Sequence, residues 1–107
     1  MNSIKRITKT SWKDYINYFK KKYPIDIWKF SFKDIEGRIE NNWKHGAKLF
    51  INGVEVDANK NLLAVKGDKP LLSFTDEKTT VGVYVKALLY VKVKVEINGE
   101  ILNDTFI

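Results

Sequence analysis

The sequence has no cysteine and a single histidine, His45. The first absence removes disulfides, thiolate metal sites, iron–sulfur ligation and a cysteine nucleophile, and the second removes every site built on two imidazoles. Proline occurs only twice and glycine six times, as in one ordinary globular domain. No apolar run approaches the ~18–20 residues that would span a bilayer. The opening stretch from Met1 to Arg6 is not followed by the apolar segment of a secretory signal, so the expected compartment is the cytoplasm. Gly-rich phosphate loops, the HExxH pair and the EF-hand loop are all missing, and the glycines are scattered among the turns. No cofactor and no metal is expected.

What is present describes an ordinary globular chain. Of 107 residues, 44% are hydrophobic and 30% charged. A 12.5 kDa chain of this kind buries about 65% of the surface its unfolded form exposes, enough for one core and one domain. The formal net charge is +6, but it is not evenly spread. Residues 1–24 carry Lys5, Arg6, Lys9, Lys13, Lys20, Lys21 and Lys22 against Asp14 alone, whereas residues 25–107 hold twelve charges of each sign. The chain reads as a basic N-terminal segment attached to a neutral body, and an argument for an anionic partner falls first on that segment.

Within the basic segment, residues 11–23 have the period of a helix. Ser11 can cap, Asp14 lies three positions on, and Pro24 stops the pattern. Trp12, Tyr15, Ile16, Phe19 and Tyr23 fall on one arc of about 100°, the width of a helix laid on a sheet. Tyr18 falls outside that arc, among lysines. The triad Lys20, Lys21 and Lys22 also suits a helix C-terminus, where cations complement the dipole.

After Pro24 the period becomes two. Trp28, Phe30 and Phe32 share one face of a strand, with Lys29, Ser31 and Lys33 on the other. The stretch Asp34 to Gly37 supplies turn chemistry, and Arg38 to Trp43 returns as a short strand. The dipeptide Asn52-Gly53, between Leu49-Phe50-Ile51 and Val54-Glu55-Val56, predicts a two-residue type I′ hairpin. Residues 62–65 and 71–75 read as short strands separated by a turn from Lys66 to Pro70, and Asp76-Glu77-Lys78 marks the next turn. Alternating valines at 81, 83 and 85 and at 91, 93 and 95 are the clearest strand signals. Ala87 to Tyr90 interrupts the alternation, as a bulge would or as a strand crossing between sheets would. Asn98-Gly99 closes a second hairpin, and its flanks echo those of Asn52-Gly53 through shared turn chemistry. The fold expected is α+β and mainly antiparallel β: a sandwich or strongly coiled sheet of about seven or eight short strands, covered by one N-terminal amphipathic helix.

Chemistry is sparse. His45 stands in a Lys-His-Gly loop, where an exposed histidine is commoner than a catalyst, and the carboxylates sit in turns or on polar strand faces. No enzyme is expected. Two surfaces suit nucleic acid: the basic helix with Tyr18, Lys20, Lys21 and Lys22, and the outer face of two long strands with Tyr84, Lys86, Lys92 and Lys94. A membrane surface fits poorly, since the helix face is short and the sheet requires a cover. Aromatics form 13% of the chain, more than a minimal core requires, and aromatic residues favour protein interfaces. Trp43, beside the loop of His45, is the open case. Edge strands near Pro70 or in Ile101 to Ile107 could add a partner strand, including that of a second copy.

From Trp28 to Leu102 the order of these features resembles the β-sandwich of the Fas apoptotic inhibitory molecule family. The features are the Trp-Lys strand start, the short strand to Trp43, the Lys-His-Gly loop, the hairpin Leu49 to Gly53, the turn Lys66 to Lys69 and the long strand ending at Gly99. The resemblance implies a compact β domain that acts through protein contacts, and it supplies no catalytic residue. The leading expectation is thus a non-enzymatic protein-interaction or regulatory module, of inhibitor or immunity type. The alternative is a nucleic-acid binder.

Overall fold

The computed structural model describes residues 6–10, 26–42, 46–60, 65–87, 91–103 and 105–107. They form nine strands: β1 (Arg6–Thr10), β2 (Asp26–Phe32), β3 (Ile35–Asn42), β4 (Gly46–Ile51), β5 (Val54–Asn59), β6 (Val65–Thr75), β7 (Thr80–Ala87), β8 (Val91–Ile97) and β9 (Glu100–Ile101). One sheet has five strands in the order β1-β2-β3-β4-β5, and the other has four in the order β6-β7-β8-β9. Every neighbouring pair is antiparallel, so each sheet is a meander whose strands follow in chain order. The mainly antiparallel reading holds. The expected helix over 11–23 lies outside the described residues, and β1 is an edge strand that the basic segment gave no sign of.

One apolar cluster joins the two sheets. Alternation sends Trp28, Phe30 and Phe32 of β2, Ile39 of β3, and Leu49 and Ile51 of β4 to the inner face of the first sheet. Val81, Val83, Val85, Val93, Val95 and Ile97 line the facing side of the second. Polar links also tie the layers. The Trp28 indole Nε1 donates to the Ile107 carbonyl at 3.0 Å. At the β5/β6 corner, Asp57 accepts from Ser73 N through Oδ2 and from Ala58 N through Oδ1, each at 2.8 Å.

Both Asn-Gly hairpins form. Asn52 and Gly53 have φ of 50° and 84°, Asn98 and Gly99 have 51° and 82°, and type I′ turns require positive φ at both positions. The two asparagines also do the same work in each sheet. The Asn52 side chain accepts from Glu36 N at 2.8 Å and the Asn98 side chain accepts from Thr80 N at 2.9 Å, each fixing the start of a neighbouring strand.

Three local readings are corrected. The turn after β2 is only Lys33-Asp34, with Lys33 at φ 56°, and Gly37 lies inside β3 opposite Phe30. A Cβ at Gly37 would fall within the Phe30 ring, so the glycine makes room for an aromatic rather than for a turn. Lys66 to Pro70 is not a turn either. Strand β6 runs through it with register shifts at Lys66/Pro70 and Pro70/Leu72, and Pro70 is tolerated because β6 is an edge that need not donate at every position. Finally, Ala87 of β7 pairs with Val91 of β8, so the strands on either side of the interrupted alternation are antiparallel neighbours in one sheet and the chain does not cross to the other; residues 88–90 lie outside the described residues.

Candidate functional site

The register of the second sheet sorts its outer face into rows. Lys66 pairs with Lys86 and Lys86 with Lys92, which sets three ammonium groups side by side across β6, β7 and β8. With strands about 4.8 Å apart the row is roughly 10 Å wide. The next row holds Pro70, Tyr84 and Lys94, and the one beyond it Ser73, Gly82 and Glu96. Like charges placed directly opposite each other repel. Among the described residues none of Lys66, Lys86, Lys92 and Lys94 is ion-paired. The outer face of the first sheet is built differently: Arg38 pairs with Glu40 at 3.0 Å, Lys48 with Glu55 at 3.8 Å, and the Arg38 guanidinium lies 4.3 Å from the Phe50 ring centre.

An aromatic residue is fixed beside the lysines by the segment after β9. Leu102 N donates to Val95 O, and the Asn103 side chain stands in for a strand residue, accepting from Val95 N at 3.0 Å and donating to Val93 O at 3.0 Å. Ile107 then exchanges both backbone hydrogen bonds with Val93 and packs on the core. Alternation sends Phe106 to the outer face. Its ring centre lies 4.9 Å from Lys94 Nζ and 5.8 Å from Lys86 Nζ. Gly67, at φ +83°, abuts the ring edge, where an added Cβ would stand 2.7 Å from Phe106 Cζ.

Tyr84 completes the patch. Its hydroxyl donates to Glu96 Oε1 at 3.2 Å. That hydrogen bond, followed by partial desolvation and the Glu96 charge, raises its pKa above the ordinary tyrosine value, so the phenol remains a protonated donor to Glu96.

A cleft of ≈ 710 Å³ opens at the end where the hairpin tips meet, with Phe32, Ile35, Ile51 and Phe74 at its apolar base. Its rim mixes Lys33 and Lys78 with Asp34, Asp76 and Glu77. Several rim acceptors are already used: Asp76 Oδ1 takes Lys78 N and Thr79 N, and the Asn52 and Asn98 amides hold their strands. The rim therefore converges on no single charge.

Of the residues singled out in the sequence, Tyr84, Lys86, Lys92 and Lys94 come together on one face. Tyr18, Lys20, Lys21, Lys22, Trp43 and His45 lie outside the described residues. Lys66, Gly67 and Phe106 were missed, the first two because a glycine and a proline read as a turn, the third because no periodicity marks it. Among the described residues, no group of three or more metal-ligating side chains gathers, and no helix is long and apolar enough to cross a membrane. No family model, curated protein or solved structure matches the chain.

Proposed function

We propose that the chain is a non-enzymatic binding module that takes up nucleic acid on the outer face of its four-stranded sheet. The observation that carries this reading is the in-register row Lys66-Lys86-Lys92, with Lys94 beside it and no described carboxylate paired to any of them. A row of unpaired ammonium groups costs the fold a little repulsion, which a bound polyanion offsets. Lysine binds phosphate as a point charge without demanding a base sequence.

A protein partner on this face is disfavoured, because lysine is depleted from protein–protein interfaces whereas nucleic-acid interfaces are strongly positive. Among the described residues, Trp28, Phe30 and Phe32 are core, and Val54, 63% exposed, is the one large apolar side chain exposed. The resemblance to the Fas apoptotic inhibitory molecule family, which would imply protein contacts, rests on the order of turns and strands alone.

The test is fluorescence anisotropy with a ~12-residue oligothymidylate across a salt series. Four phosphate contacts give a slope of log affinity against log salt of about −3. The double variant Lys86→Glu/Lys92→Glu should weaken binding at least about tenfold. The triple variant Lys20→Glu/Lys21→Glu/Lys22→Glu measures the share of the basic segment. Binding that ignores the double variant, or ignores salt, removes the reading.

A further inference from the structure

We infer that Phe106 is a base-stacking residue and that the face is therefore specific for single-stranded nucleic acid. The inference rests on the nucleic-acid reading of the same face and adds to it the part that phosphate contacts cannot supply. A duplex offers lysines its phosphates but keeps its base faces stacked inside, whereas an unpaired strand presents a π-face at every nucleotide.

Three features of Phe106 point this way. It is an aromatic ring on the outer face, held there by the backbone pairing of Ile107 with Val93 and not by burial in the core. Two of the four lysines, Lys86 and Lys94, hold their ammonium groups 5.8 and 4.9 Å from its ring centre, so the groups that would meet phosphates are the ones lying against the ring. Phe106 is half-buried, and a cation–π contact at the surface returns no more than stacking one base does. A strand that draws the two ammonium groups onto its phosphates frees the ring for a base. The third feature is Gly67. Any side chain there would press on the ring edge from β6, and the positive φ is one that glycine adopts without strain.

The experiment compares wild type with Phe106→Leu and Phe106→Trp on three probes: oligothymidylate, a duplex of similar length, and inorganic polyphosphate. Leucine keeps an apolar side chain of similar size without a π-face, and tryptophan keeps the π-face. Unfolding midpoints of all three proteins show that each is folded. The expected result is a loss of about tenfold in oligothymidylate affinity for Phe106→Leu, within the range of one lost stack. Polyphosphate and duplex affinities should change less than about twofold, and Phe106→Trp should bind the oligonucleotide at least as well as wild type. Equal loss on all probes makes Phe106 a structural prop and overturns the inference. So does no loss on any, or a preference of wild type for duplex or polyphosphate. Those failures leave the lysine dependence intact; if the Lys86→Glu/Lys92→Glu variant also binds unchanged, the proposed function itself has failed.

Discussion

Gly37 opposite Phe30 is a pair in which one residue exists to accommodate another. The glycine has no Cβ because the aromatic ring fills that space, and the ring covers backbone that would otherwise lie bare in the strand. Gly37→Ala should therefore lower stability by about 1–3 kcal/mol, the range for overpacking a filled core. Urea denaturation checks it. The double variant Phe30→Leu/Gly37→Ala should lose less than the sum of the two single changes, since the smaller side chain leaves room for the methyl. An unchanged midpoint in Gly37→Ala would mean that the ring moves aside freely and that the pair is incidental.

Among elements, the second sheet shows a conflict between folding and binding. Its inner face is mostly valine, with Leu72, Ala87 and Ile97, and could carry almost any outer face, yet the outer face sets lysine opposite lysine twice. Lys86→Thr replaces the middle of that row with a β-branched residue suited to a strand. Its expected effect on stability is a gain of about 0.2–1 kcal/mol, from relieved repulsion. Oligonucleotide binding should weaken in the same protein, with the salt slope reduced by about 0.7. A variant that loses stability and keeps its affinity would show that the row serves packing through the lysine stems. Much of this sheet was legible in the sequence, because alternating valines fix which side chains face out, and so Tyr84, Lys86, Lys92 and Lys94 could be grouped beforehand. The register with β6 was not legible. Gly67 and Pro70 carry strong turn signals, and only the position of β6 at a sheet edge lets a strand run through them. Phe106 lay beyond reach as well, since its placement depends on the Asn103 side chain imitating backbone across Val93 and Val95. The same limit applied to Gly37, a residue read as punctuation that serves a ring on the neighbouring strand.

On the scale of the whole molecule, the question is what makes two separate meanders a single folding unit. Among the described residues no strand belongs to both sheets, and the backbone hydrogen bonds of each ladder close within it. Cohesion comes from the shared apolar cluster and from two side chains that reach across, Trp28 to the Ile107 carbonyl and Asp57 to Ser73 N. The indole bond matters beyond its own strength because Ile107 anchors the segment that holds Phe106 on the outer face. Trp28→Phe keeps an aromatic ring in the core but removes the N–H donor and part of the ring volume. The Ile107 carbonyl keeps its bond from Val93 N, so no buried acceptor is orphaned. The expected cost is then about 1–2 kcal/mol, from one net hydrogen bond and a small void. Because the core is shared, that loss should move the urea midpoint of a single transition with its slope unchanged, followed by far-UV and near-UV circular dichroism alike. Two separated transitions in Trp28→Phe would mean that the sheets fold independently and that the inter-sheet contacts are only a seam. Oligothymidylate affinity in the same variant tests the link from Trp28 through Ile107 to Phe106. It should fall modestly, by less than in Phe106→Leu, because loosening Ile107 lets Phe106 drift without removing its ring.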